Sequence, residues 1–197
     1  MKELILEMER YASEHDVPIM QKEGIAFLMK LIKNNNLKNV LEIGSAIGYS
    51  AILMASASAD VKVTTIERDE TMYMECLKNV KKCNLEEKIN VVFQDALDLN
   101  LAEGTQYDLI FIDAAKGQYQ KFFEKYQHFL TPNGMIVTDN LKFHGYVGKS
   151  QTIESKNLRQ LVEKIENYIE YLKTNEEFST KFYDVGDGVS VSVRKHE

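Results

Sequence analysis

The sequence predicts a doubly wound, mostly parallel seven-stranded α/β sheet, with one antiparallel strand supplied by a C-terminal hairpin. Three observations carry that reading. Five short apolar runs of strand length alternate with helix-length segments of amphipathic spacing. The first run enters a glycine turn that opens directly into a helix, as a parallel strand–turn–helix unit requires. Two further runs at the end of the chain, 178–185 and 189–194, flank Gly186-Asp187-Gly188 and read as a hairpin.

Residues 3–14 place Leu4, Met8 and Tyr11 at helical spacing. Pro18 breaks that segment, and a second helix follows over 22–33 with Ile25, Leu28, Met29 and Ile32 on one side. The polar run Asn34-Asn35-Asn36 ends it. Val40 to Ile43 is the first strand, Gly44 to Gly48 the turn, and the next helix starts near Gly48. A second strand covers 62–66 and ends in Glu67, and a helix runs over 70–82. Strands are expected at 89–93 and 107–112, then an amphipathic helix over 116–130 carrying Tyr119, Phe122, Phe123, Tyr126 and Leu130. Thr131-Pro132-Asn133-Gly134 reads as a turn before a fifth strand at 135–138. The last helix carries Leu158, Leu161, Val162, Ile165, Ile169 and Leu172.

The bulk numbers suit one domain over residues 1–197, with 44% hydrophobic and 27% charged residues. No run is apolar enough to cross a bilayer, and Met1-Lys2-Glu3 opens no signal peptide, so a cytoplasmic protein without a membrane partner is expected. Cys76 and Cys83 share one predicted helix and read as free thiols. A net charge of -6 speaks against coating of bulk nucleic acid, though not against a local basic patch. His15, His128, His144 and His196 show no metal-site spacing.

In such a sheet, ligands bind beyond the carboxyl ends of the strands. The first end offers the glycine turn, whose bare backbone and following helix start suit a nucleoside cofactor. Ala46 replaces the middle glycine of a dinucleotide fingerprint. Glu42 beside the turn would repel a pyrophosphate and favour a cationic cofactor such as S-adenosylmethionine. The second end offers Glu67, placed to bind ribose hydroxyls. The third offers Asp95, a partner for an adenine amino group, and the fourth and fifth offer Asp113, Asp139 and Asn140. Two carboxylates and an amide oxygen suit magnesium or a similar hard divalent ion. Lys116, one helical turn beyond Asp113, is near enough to act as a base or to balance an oxyanion. Taken singly, each acid is more simply a helix cap and Lys116 a solvated residue. Their recurrence at successive strand ends is what raises them above that.

The combination of Leu41-Glu42-Ile43-Gly44 with Gly48-Tyr49-Ser50, Ile112-Asp113-Ala114-Ala115-Lys116 and Thr138-Asp139-Asn140 resembles the divalent-metal-dependent O-methyltransferases of the catechol and caffeoyl-coenzyme A type. Val17-Pro18-Ile19-Met20, 111–119, 159–162 and Gly186-Asp187-Gly188 resemble more closely the bacterial tRNA 5-hydroxyuridine methyltransferase branch. The resemblance covers nearly the whole chain. It implies a Rossmann-like methyltransferase sheet, with Asp113, Asp139 and Asn140 as metal ligands and Lys116 and Asp113 as the catalytic pair. It also implies a cofactor pocket lined by Met20, Gly44, Ser50, Glu67, Asp95, Ala96 and Asp113. The helices within 1–36 would form a lid and dimer element, here with a shorter N-terminus than relatives often have, and a homodimer is expected.

Three functions compete. The first is magnesium-dependent methylation of the wobble 5-hydroxyuridine in a tRNA anticodon loop. For that reading Lys142, Lys149, Lys156, Arg159 and Lys164, with Lys116, Lys121 and Lys125, would frame the mouth and hold phosphates. The second keeps the chemistry on a small catechol-like or phenolic acceptor. The third is a nucleotide-binding protein without catalysis. An NAD oxidoreductase is disfavoured by Ala46 and Glu42.

Overall fold

The computed structural model describes residues 1–195; His196 lies outside them. Its seven strands are β1 Asn39–Ile43, β2 Lys62–Glu67, β3 Ile89–Phe93, β4 Tyr107–Ile112, β5 Leu130–Thr138, β6 Phe178–Tyr183 and β7 Val189–Arg194. They form one sheet in the order β3-β2-β1-β4-β5-β7-β6. The first five are mutually parallel, and β7 runs antiparallel to both β5 and β6. The strand count and the single reversed strand match the sequence expectation. The turn at 184–188 returns the chain beside β6, so β7 is the reversed strand.

Side chains alternate across the sheet with period two, and both faces are apolar. Val40, Val63, Leu109, Phe111 and Val137 pack on one side beneath helices α1 Lys2–Glu14, α2 Lys22–Asn34, α3 Tyr49–Ser56 and α4 Glu70–Lys82. Leu41, Ile43, Ile110, Ile112 and Ile136 pack on the other beneath α5 Tyr119–Tyr126 and α6 Lys156–Thr174. The α4 start is capped by Asp69, whose carboxylate accepts the Met72 N–H at 2.9 Å. Cys76 and Cys83 are buried and free.

Two elements depart from expectation. The helix expected over 116–130 is an α-helix only over 119–126, with tight 3-10 turns at 116–118 and 127–129. Gly117 is a poor helix former and sits against α6, where an added Cβ would lie 3.3 Å from Lys164 Cδ. The turn expected at 131–134 is instead part of β5. Leu130 pairs with Tyr107 and pairing resumes at Met135 with Leu109, so the Pro-Asn-Gly segment is a bulge inside a longer strand. Pro132, which cannot donate to a ladder, sits within it.

Candidate active site

Parallel pairing keeps the strand ends level, and the backbone ladder runs one residue past each of them. Gln94 N donates to Glu67 O, Gly44 N to Ile66 O, Asp113 N to Ile43 O and Asp139 N to Ile112 O, at 2.9–3.2 Å. The polar residues that end β1 to β5 are thereby drawn onto one rim. A cavity of about 240 Å³ opens there. Met20, Gly44, Ser50, Glu67, Asp95, Ala96, Asp113, Lys116 and Asn140 all line it. Asp139 does not: it lies behind Asn140 and is only 3% exposed.

The turn is held from several directions. Gly44 has φ +95, and a Cβ there would come within 2.4 Å of the Asp113 carbonyl oxygen. Its bareness therefore serves the contact between the β1 and β4 ends as much as approach to a ligand. Gly48 has φ +83 and caps α3, with Cys76 Sγ filling the space a side chain would need. Glu67 accepts Ala46 N, Arg68 N and Asp69 N, each at 2.9 Å, so it orders the turn as well as facing the cavity. Asp95 accepts Leu97 N at 2.9 Å and pairs with Arg68 at 3.0 Å. The Leu97 N–H, then Arg68, hold its carboxyl below the usual range. Ala96 is buried, and its carbonyl accepts the Tyr126 hydroxyl at 2.6 Å.

At the β4 and β5 ends, the Asn140 amide nitrogen donates to Asp113 at 2.9 Å and to Asp139 at 3.2 Å. Asn140 holds φ +64, a left-handed conformation Asn tolerates. Burial raises the Asp113 carboxyl against the opposing pull of Lys116. Burial, then the adjacent charge of Asp113, push Asp139 up to about 7. Asp139 Oδ1 is buried without a hydrogen-bond partner. Two acids that resist ionising side by side, with an orphaned oxygen between strand ends, fit a divalent cation. Turning the Asn140 amide over would add its oxygen to the set without moving the chain. Among the described residues no three His, Cys, Asp or Glu side chains converge for a metal, so a cation here would need the Asn140 amide oxygen beside the two carboxylates.

Lys116 Nζ lies 5.6 Å from the centre of the Phe143 ring. Phe143 belongs to a segment clamped by the β6–β7 turn. Leu141 N donates to Gly188 O at 3.0 Å, Lys142 N to Asp187 O at 2.8 Å, and His144 N to Asp187 Oδ1 at 2.8 Å. Phe143 and His144 both have positive φ.

Some sequence readings change. Glu42 is fully buried, bonded to the Ser50 hydroxyl and, at 2.5 Å, to the Thr65 hydroxyl. Burial pushes its carboxyl up to about 8, so it is neutral at pH 7 and cannot repel a pyrophosphate as proposed. Three of the basic residues assigned to the mouth are otherwise engaged. Lys142 pairs with Asp184, Lys125 donates to Leu97 O at 2.5 Å, and Arg159 Nε to Ile153 O at 2.9 Å. Arg68 and Tyr49 were not foreseen as cavity residues, although each adjoins a residue that was. Asp187 belongs to the Gly186-Asp187-Gly188 turn. It is buried and raises Asp139 further, a proximity that only the hairpin's return creates.

Residues 1–195 match the family model described as O-methyltransferase. A caffeoyl-CoA O-methyltransferase of Populus kitakamiensis is 30% identical over 94% of this chain and 82% of its own. A Staphylococcus aureus protein of known structure, provisionally named a caffeoyl-CoA O-methyltransferase, is 38% identical with a TM-score of 0.92. That match covers 97% of this chain and 92% of the other. An O-methyltransferase from Bacillus cereus, solved with S-adenosylhomocysteine, is 25% identical with a TM-score of 0.84, covering 98% and 91%.

Proposed function

The chain belongs to the O-methyltransferase family and is an S-adenosylmethionine-dependent enzyme; from that premise we propose that it methylates, with a divalent cation such as magnesium, a hydroxyl that has a second oxygen beside it. The observation that carries this is the meeting of Asp113 and Asn140 beside Lys116 at the cavity, with Asp139 buried against Asn140 and one of its carboxylate oxygens orphaned. These three side chains would hold the cation, which when bound supplies positive charge that eases ionisation of an acceptor hydroxyl. Met20, Gly44, Ser50, Asp95 and Ala96 would enclose the cofactor, with Glu67 accepting from its ribose hydroxyls. Lys116 takes or balances the acceptor's proton, and the Phe143 ring beside it limits where that ammonium can go. The chain's main contribution is alignment of a nucleophilic oxygen with the sulfonium methyl.

Two acceptors present the required oxygen pair. A small catechol-like or phenolic compound is favoured by the caffeoyl-CoA names of relatives. The wobble 5-hydroxyuridine of tRNA, through O5 and O4, is favoured by exposed Lys149 and Lys156 and by Tyr146, 42% exposed, on the segment beyond Asn140. The connection between α1 and α2 supplies Met20 to the cavity, and the helices within 1–36 are the proposed lid and dimer element.

Transfer of labelled methyl from S-adenosylmethionine to total tRNA and to a catechol panel, with and without chelator, tests all of this. One of the two acceptor classes should be labelled, and excess chelator should abolish the label. Asp139→Ala should lose transfer while binding S-adenosylhomocysteine within about twofold. Full turnover in chelator would overturn the metal assignment.

A further inference from the structure

The turn that opens α3 rests on a buried polar cluster of three groups. Glu42 on β1 is 0% exposed, Thr65 on the paired position of β2 is 0% exposed, and Ser50 in the first turn of α3 is 6% exposed. Glu42 bonds to both hydroxyls, one on each carboxyl oxygen. The charged or ionisable groups facing it are Asp113 at the β4 end, Glu67 at the β2 end and the Cys76 thiol on α4. All are acids, and among the described residues no Lys, Arg or His pairs with Glu42. A lone carboxylate in such a place lacks anything to offset its desolvation.

We propose that Glu42 is a positioning residue for the cofactor: by keeping its proton it turns the Ser50 hydroxyl outward, as a donor to the cofactor's carboxylate. The reasoning is a count of protons. With Glu42 neutral, the cluster holds three protons and has two internal contacts to fill. One hydroxyl proton is left over. Among the described residues Thr65 has no other acceptor, so it donates to Glu42; in the neutral cluster the carboxyl proton then fills the contact between Glu42 and Ser50, and the Ser50 proton is free for the cavity that Ser50 lines. With Glu42 ionised, two protons fill two contacts, and Ser50 offers the cavity only lone pairs.

The polarity of the site says which end of the cofactor meets Ser50. The first intrahelical bond of α3 runs from Ile52 N to Gly48 O at 3.0 Å, so the N–H groups of Tyr49, Ser50 and Ala51 precede it. That helix start carries partial positive charge and favours an anion. The only anionic group of S-adenosylmethionine is its carboxylate. Donor and helix start then act together below the carboxyl's titration, which burial moves up to about 8. Above it the Ser50 donor is withdrawn.

The inference rests on the reading that this cavity holds S-adenosylmethionine, and the experiment separates the two. Calorimetry would follow S-adenosylhomocysteine binding from pH 6.5 to 9.5 in the wild type, Glu42→Gln and Ser50→Ala. Gln keeps the neutral pattern, its oxygen accepting from Thr65 and its amide donating to Ser50. It should match the wild type within about twofold at pH 7. The wild type should then lose about tenfold more affinity than Glu42→Gln as pH passes 8, since the ligand's own amine titrates equally in both. Ser50→Ala should bind about five- to tenfold more weakly at pH 7 and lose the excess pH dependence. Methylthioadenosine, which lacks the amino-acid end, should show none of these differences. The infrared difference between wild type and Glu42→Gln should show a carboxylic C=O band at pH 7 that is gone at pH 9.5, a check that rests on no affinity. Parallel pH profiles for wild type and Glu42→Gln, or the same excess with methylthioadenosine, would overturn the inference. No binding of S-adenosylhomocysteine at any pH would instead remove the cofactor reading beneath it.

Discussion

Glu67 shows how one side chain can carry two loads. It faces the cavity, yet its carboxylate already accepts three backbone N–H groups of the turn and of the β2 end. Glu67→Ala therefore loosens Ala46 as well as removing a ribose partner. Glu67→Gln keeps one acceptor oxygen and is the cleaner change. It should cost about 1.5–3 kcal/mol of cofactor affinity by calorimetry, because a charge-assisted bond becomes a neutral one. Glu42 poses a separate question of stability. Its folded carboxyl titrates near 8 rather than near 4.5, so the folded state binds a proton the unfolded chain has released. Stability from this group is complete below the ordinary carboxylate range and is lost as pH rises toward about 8. The slope approaches about 1.4 kcal/mol per pH unit within that window. Urea unfolding at pH 5 and 8 should show a drop in the wild type that Glu42→Gln lacks.

Among the elements, the β6–β7 turn shapes the site from furthest away in the chain. Its Asp187 and Gly188 accept backbone N–H groups of residues 141, 142 and 144, which immediately follow the candidate ligand Asn140. Gly188 has φ +84, and a Cβ there would sit 2.8 Å from Lys142 Cγ and 3.1 Å from Lys142 N. Gly188→Ala should therefore strain the turn and push back the segment that carries Phe143. A loss of about 1–3 kcal/mol is expected, seen as a melting temperature lower by about 2–4 °C per kcal/mol. Affinity for S-adenosylhomocysteine should hold, since its proposed contacts lie at the ends of β1 to β3, at the start of α3 and, for Met20, on the connection before α2, while the KM for the acceptor should rise. An unchanged acceptor KM would mean the clamp does not set the acceptor side of the site.

For the molecule as a whole, charge decides between the acceptors. The net charge is -6, so an RNA-binding face has to be local. Lys142 and Arg159 are committed to Asp184 and to the Ile153 carbonyl, and the Lys164 stem lies against Gly117, so exposed Lys149 and Lys156 are the informative positions. Reversing both to Glu should weaken tRNA methylation and flatten its dependence on salt, each lost phosphate contact reducing the logarithmic salt slope by about 1. Methylation of the free nucleoside should change little. Equal effects on both substrates would point to damage at the site and not to a phosphate contact.

The order of strands and helices along the chain, the glycine turn after β1, and the acids at the ends of β2 to β5 follow from local chemistry, and all were legible in the sequence. Apolar period, Gly and Pro placement and strand-end polarity are properties of neighbouring residues, so the bounds of α4, β3, β4 and β7 agree with expectation residue for residue. What depended on distant partners was not legible. Gly117 against α6 shortened the predicted 116–130 helix, and pairing with Tyr107 drew the 131–134 turn into β5. The same holds for the site. Sequence spacing named Asp113, Asp139, Asn140 and Lys116, but the ionisation of a side chain depends on what surrounds it in three dimensions. Only packing decided that Glu42 is a neutral buried acid holding two hydroxyls, and that Asp187 returns across the sheet to stand behind Asp139. Burial and like-charged neighbours move a carboxyl's titration by several units, and neither can be counted until the chain has folded.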